Sequence, residues 1–143
     1  MDVRFVNRGL GTGTRLLLDD AMEASDIQAR QIRGYDHEES SHAAVAATVA
    51  AAQADAGLGI ESSARAQGLE FVPLWQECYW LVCLRSVLES APVQSLRAVL
   101  QSPVWQSQLA QIAGYGLTES PGQVQSLKVQ LPWWLHAQGK NKT

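Results

Sequence analysis

Hydrophobic and polar positions along this chain switch repeatedly between a short-run pattern and a helical one. Arg4 to Asn7 is a brief apolar-centred run that predicts a strand. From Thr14 to about Ser25, Leu17, Leu18 and Ala21 recur at helical spacing and predict a helix with those positions facing inward. Gln31 to Tyr35 reads as a short extended piece. Ser41 to about Ala54 is an Ala-rich helix with Val45 and Val49 four residues apart, and its small side chains predict close packing against a neighbour. Ala56 to Ile60 is a short glycine-containing strand, and Ser62 to Gln67 a helix stopped by Gly68. Phe71 to Leu74 predicts a strand with Pro73 near an edge or end. The continuous apolar run Tyr79 to Arg85 predicts a strand buried on both faces. Pro92 to Gln101 and Pro103 to Ala113 are helices opening on proline, the second closed by Gly114. Beyond residue 116 the pattern fades, apart from a strand expected at Val124 to Leu131. There is no internal repeat. Strands alternating with helices predict an α/β sheet covered by helices.

Composition narrows this picture. A chain of 143 residues, 46% apolar and 17% charged, is long enough for one domain with a real core and too apolar to be disordered. Its net charge is −3, and basic residues cluster only at Lys140 and Lys142, so direct nucleic-acid binding and a polybasic membrane anchor are not expected. Any basic role is local to the corner formed by Arg8 and Arg15. The amino terminus enters a strand without an apolar leader, and no run reaches the eighteen or so apolar residues that span a bilayer. Cys78 and Cys83 fall on opposite faces of the expected strand, which predicts buried free thiols and a cytoplasmic setting.

The candidate chemistry lies in the turn Gly9-Leu10-Gly11-Thr12-Gly13-Thr14-Arg15. A strand, a glycine-punctuated turn with two hydroxyls and a helix carrying an arginine place free N–H groups at a helix start, where an oxyanion is favoured. No Lys follows the glycines as a nucleotide-binding loop requires, and Leu16 stands where a dinucleotide fingerprint needs its third Gly. A small anion therefore suits the turn better than a nucleotide. The plainer alternative is an N-cap with room for tight packing.

Beyond this turn, several stretches carry a family resemblance in the same order: Gly34-Tyr35, Glu39-Ser40-Ser41-His42-Ala43-Ala44-Val45-Ala46, Ala54 to Ile60, Gly68 to Leu74 and Gly114-Tyr115. Over roughly residues 3 to 116 the chain resembles the substrate-binding domain of the type II periplasmic-binding-protein class. Within that class it is similar to the cytoplasmic branch fused to helix-turn-helix regulators or molybdopterin-synthesis proteins and related to molybdate sensing. The resemblance implies that the chain begins where the second lobe begins, lacking the first lobe and any DNA-binding domain. The fold it implies is a three-layer α/β half-domain over residues 1–116 that includes the crossover strand and the C-terminal helices, followed by an irregular Trp-containing tail over 117–143. The apolar area that a lone half-domain leaves exposed predicts a homodimer that exchanges C-terminal segments.

The resemblance also implies a ligand site. Thr12, Gly13, Thr14 and Arg15 form one wall and Ser40, Ser41 and His42 the adjacent part, both at helix starts. The implied ligand is a small oxyanion such as molybdate, tungstate, sulfate or phosphate, with no cofactor. For His42 the competing expectation is a first-turn histidine bonding locally, and for Asp36 to Glu39 a solvated turn rather than a metal site. No Ser/His/Asp or Cys/His spacing supports catalysis, so the expected function is a non-enzymatic binding module. The alternative is a stand-alone interaction protein whose Trp-rich surface, including Trp75, Trp80, Trp133 and Trp134, makes the contacts.

Overall fold

A computed structural model describes residues 3–130 of the chain. The chain divides into two compact units, one of residues 3–79 with 112–115, the other of 80–111 with 116–130. The first unit holds the sheet. Strand β1 (Phe5–Arg8) leads into helix α1 (Gly13–Ala24), then strand β2 (Glu38–Glu39), helix α2 (His42–Ala50), strand β3 (Ala56–Gly57) and helix α3 (Glu61–Ala66). All pairings are parallel and the spatial order is β2-β1-β3, with Asn7 opposite Glu38, Arg8 opposite Glu39, Phe5 opposite Ala56 and Val6 opposite Gly57. The architecture is thus α/β, with helices on a small parallel sheet.

This order dictates the layers. The first crossover moves from β1 to one neighbour, and the second passes back over β1 to the other. Right-handed crossovers in opposite directions put α1 and α2 on opposite faces. Side chains of β1 follow suit. Val6 is fully buried against Val45 of α2 and Ala54, with Val49 packed alongside. Arg8, two residues on, shares Val6's face, whereas Asn7 points the other way, its side-chain amide donating to Tyr35 O at 3.2 Å.

The small residues of α2 do what their size predicts. A β-carbon at Gly57 would stand 2.7 Å from both Val45 Cγ1 and Val6 Cγ1, so only glycine lets β3 and α2 approach this closely. On the other side of β1, Gly34 lies at φ +88°, and a β-carbon there would stand 2.2 Å from Phe5 O. The chain before β2 is therefore fastened tightly to β1, with Phe5 N–H donating to Arg33 O at 2.8 Å and Asn7 N–H to His37 O at 2.7 Å.

Several expectations for the rest of the chain are corrected. Residues 79–84 form no strand: they are irregular and exposed, followed by a 3-10 turn at Arg85–Val87. An apolar run becomes a buried strand only where a ladder partner and two covering layers exist, and β3, two residues long, already pairs with β1. Cys78 and Cys83, expected to be buried, are free and exposed. Residues 71–74 are likewise irregular, Pro73 having no N–H to give a ladder. A 3-10 turn at Ala29–Gln31 and further turns replace the extended piece expected at Gln31 to Tyr35. In place of the strand expected from Val124, the chain forms α6 (Leu127–Gln130).

The second unit contains α4 (Ala91–Gln101), α5 (Pro103–Leu109) and α6. Ser102 closes α4 and opens α5, its hydroxyl accepting from Trp105 N–H at 3.3 Å, while Arg97 of α4 donates to Gly122 O at 3.4 Å. None of the described residues of this unit is buried, and Trp80, Leu81, Val82, Leu84, Val99 and Val104 are among its exposed apolar side chains. Trp133 and Trp134 lie outside the described residues.

Candidate functional site

In an open parallel sheet the natural ligand position is the crevice beyond the carboxyl ends of the strands, at the point where the winding reverses. Here that point is the end of β1, flanked by β2 and β3. The turn after β1 carries Thr12, Gly13 and Thr14 into α1, and the turn after β2 carries Ser40, Ser41 and His42 into α2. The fold thus brings both groups to the same edge of adjacent strands, where Gly9 N–H donates to Glu39 O at 3.4 Å.

Each helix start is capped from the sequence. The Thr12 hydroxyl accepts from Arg15 N–H at 3.4 Å and donates to Gly9 O at 2.9 Å. The Ser41 hydroxyl accepts from Ala44 N–H at 3.0 Å. These caps satisfy one N–H apiece, and helix geometry leaves the earlier N–H groups of α1 and α2 facing outward with the positive dipole end behind them.

Arg15 does not face this opening freely. It is 4% exposed, and its guanidinium is taken up on the α1 face of the sheet. Nε donates to Asp19 at 3.1 Å, Nη1 to Glu38 Oε1 at 2.9 Å and to Arg8 O at 3.2 Å, and the guanidinium lies 4.2 Å over the Tyr35 ring. The Tyr35 hydroxyl in turn donates to Asp19 Oδ1 at 2.6 Å. Burial works against the Arg15 charge, but Tyr35 and Asp19 outweigh it and its pKa lies above the ordinary value. The hydrogen bond to Asp19 foremost, then burial, pushes the Tyr35 phenol up. This cage positions the turn; its cation is neutralised within the protein.

Arg8 differs, and the motif reading leaves it out of the site. It is 9% exposed, Nη1 donates to Glu39 O at 3.0 Å, and its Nε is buried without a partner. No carboxylate among the described residues pairs with it, since Glu38 is held by Arg15 and Glu39 Oε1 accepts from the Thr48 hydroxyl at 3.0 Å. The second buried atom without a partner is His42 Nδ1, at the start of α2 on the same face. A β-carbon at Gly59, just after β3, would stand 3.9 Å from that nitrogen. Burial foremost, then the charge of Arg8, holds the His42 imidazole below its ordinary pKa, with Glu77 opposing. The period-two register that puts Arg8 on Val6's face was the available signal for its position.

Other features suit an anion poorly. A concavity of about 320 Å³ on the α1 face is lined by Asp19, Glu23, Asp26 and Tyr35 among others, and its carboxylates disfavour negative charge. Among the described residues no group of three His, Cys, Asp or Glu could hold a metal ion, and no helix is long and apolar enough to cross a membrane.

A parallel sheet with helix starts gathered at its carboxyl edge is the architecture of a ligand-binding α/β domain, and comparison with known proteins agrees. The chain belongs to the family described as the PBP superfamily domain, whose model matches residues 1–101. Proteins of this kind are generally binding proteins rather than enzymes. The chain is 31% identical over 114 residues to the uncharacterized protein YvgK of Bacillus subtilis, an alignment covering 80% of this chain and 36% of that protein. It therefore spans about a third of that relative's length. It is 32% identical over 106 residues to an uncharacterized protein encoded in the 5' region of the 2Fe-2S ferredoxin gene of Clostridium pasteurianum, covering 73% of this chain and 94% of that one. No solved structure matches significantly.

Proposed function

We propose that this chain is a non-enzymatic binding module for a small oxyanion of the molybdate, tungstate, sulfate or phosphate type, seated at the carboxyl edge of the sheet. The observation that carries the reading is the arrival of two capped helix starts, α1 and α2, at the ends of adjacent parallel strands. Their outward N–H groups and dipoles favour negative charge at the winding reversal. Thr12, Gly13, Thr14, Ser40, Ser41 and His42 are the proposed contacts, while Arg15 holds the α1 turn in shape through its cage. Calorimetry with molybdate, tungstate, sulfate and phosphate tests this; neither heat nor a thermal shift at millimolar anion sinks it.

A second reading rests on the second unit, whose exposed apolar side chains favour contact with another protein surface. In this reading the chain assembles, most simply as a twofold homodimer, and the anion corner is structural. Light scattering separates the two: Leu81→Glu with Val82→Glu should reduce the assembly size, and a monomer at micromolar concentration in the unmodified chain rules the reading out. The two exposed free thiols fit a reducing, cytoplasmic setting for either role.

A further inference from the structure

We propose that Arg8 and His42 form an anion pocket on the α2 face of the sheet, where a small oxyanion accepts hydrogen bonds from Arg8 Nε and His42 Nδ1 and is bound together with a proton taken up by His42. This rests on the oxyanion reading above and deepens it: it assigns Arg8 to the site and couples the ligand to pH.

The two buried arginines of the first unit are unequally balanced. A guanidinium cannot shed its proton at any ordinary pH, so a buried arginine must be neutralised by something else. Arg15 meets that need with Asp19, Glu38 and Tyr35. Arg8 is nearly as deeply buried and has one backbone carbonyl, Glu39 O, for its Nη1. A buried polar group left without a partner is costly, and two such nitrogens on the α2 face of the sheet point to a missing acceptor. His42 is the first residue of the nine-residue helix α2, and Arg8 is near enough for its charge to act on the imidazole; at that helix start a negative charge is also favoured by the dipole. Residue 59, whose β-carbon would stand 3.9 Å from His42 Nδ1, is a glycine and sets no side chain against that nitrogen. Two unpartnered donors, an unbalanced guanidinium charge and a helix start therefore call for the same occupant, a compact oxyanion with at least two acceptor oxygens.

The proton follows from the neighbours of His42. The charged groups that act on it are Arg8 from β1 and Glu77 from the irregular segment after α3. Glu39, at the end of β2, is turned to Thr48 and lies 3.9 Å from His37. Burial first, then the charge of Arg8, disfavour the protonated imidazole. An anion placed between the two adds negative charge beside it and accepts from Nδ1, which favours the protonated ring. Linkage then requires the reverse effect of equal size: lowering the pH tightens anion binding.

Sulfate is the probe, because it does not itself titrate between about pH 5.5 and 8, where an unperturbed His does. Calorimetry of the full chain with sulfate in buffers of contrasting ionisation heat should give net proton uptake and an affinity that falls as the pH rises. Arg8→Lys keeps the positive charge but lacks Nε, and should weaken sulfate by about tenfold or more. His42→Asn keeps a donor near the Nδ1 position and cannot titrate, so sulfate should still bind, now without proton uptake. Circular dichroism checks that both variants fold; should Arg8→Lys not fold, His42→Asn decides alone. Sulfate binding in the native chain without proton uptake overturns this inference and leaves the oxyanion reading standing. So does native-like binding by both variants when Thr14→Val weakens it, since the anion then sits at the α1 turn. The absence of heat from every anion overturns both readings.

Discussion

Arg8 and Arg15 lie seven residues apart, on either side of one turn and on opposite faces of one sheet, and both are almost wholly buried. Arg15 is met by two carboxylates, a backbone carbonyl and an aromatic face, so its charge is balanced within the chain. Arg8 is met by one backbone carbonyl. The difference follows from the pleat. Glu38 and Glu39 pair with Asn7 and Arg8 across β1 and β2, but consecutive residues point to opposite faces. Glu38 therefore reaches Arg15 on the α1 face, while Glu39 turns its carboxylate to Thr48 of α2. The α1 face is completed by the chain itself, and the α2 face keeps donor capacity in reserve. A basic residue near a glycine turn is thus no guide to ligand binding until its partners are counted.

Removing each guanidinium in turn should separate the two arginines most strongly. Arg15→Met strands Asp19, Glu38 and the Tyr35 hydroxyl around a lost cation, and should destabilise the fold by about 2–4 kcal/mol in urea denaturation, discounted because both carboxylates are partly exposed. Arg8→Met removes one hydrogen bond and an uncompensated buried charge, which offset each other, so its stability should stay within about 1 kcal/mol of native. Equal losses in the two variants would dissolve the distinction between a satisfied and an unsatisfied arginine.

A third arginine, Arg4, immediately before β1, separates pairing from burial. Arg4 donates to Asp55 through its backbone N–H at 2.8 Å, Nε at 3.0 Å and Nη2 at 2.7 Å, but both side chains are well exposed. These hydrogen bonds first, then the Arg4 charge, pull the Asp55 carboxyl down to about 2. A carboxyl depressed on folding lends stability above its unfolded pKa, and that stability is lost as pH falls through its folded value. The gap in melting temperature between the native chain and Asp55→Asn should therefore be constant at neutral pH and close between about pH 4 and 2. Because solvent screens the pair, that gap should be smaller than the loss in Arg15→Met. A larger one would mean that pairing counts for more than burial here.

What the sequence alone reveals of this arrangement depends on how local each determinant is. The strand-turn-helix after Arg4 rests on near neighbours in sequence and forms where the pattern places it, with Thr12 and Ser41 as the residues that cap the two helices. The commitment of Arg15 depends on Glu38 and Tyr35, twenty or more residues away, so no reading of the turn by itself could see it. The run from Tyr79 reads as a buried strand because periodicity records apolarity, whereas a strand also needs a partner edge. That partner is absent among the described residues. Arg8 lay in between: its face was fixed by the alternation with Val6, but its lack of a carboxylate emerged only from the register of β2.

The end of α2 offers the smallest test, and it bears on the face that holds Arg8 and His42. The alanine run gives no stop signal, yet the helix ends at Ala50, and Ala52 takes φ +55°, a left-handed conformation that glycine adopts without penalty. Ala52 N–H donates to Val49 O at 3.0 Å and Gln53 N–H to Thr48 O at 3.1 Å, closing the helix and turning the chain toward β3. For alanine that conformation costs about 1–2 kcal/mol, while glycine gives back about 0.4–1 kcal/mol through the freer unfolded chain. Ala52→Gly should therefore stabilise the fold by a few tenths to about 1 kcal/mol in urea denaturation. Because Ala52 sits at the opposite end of α2 from His42, sulfate affinity should not change. A gain in stability accompanied by altered anion affinity would show that the α2 face is not a fixed platform and that its donors move with the helix.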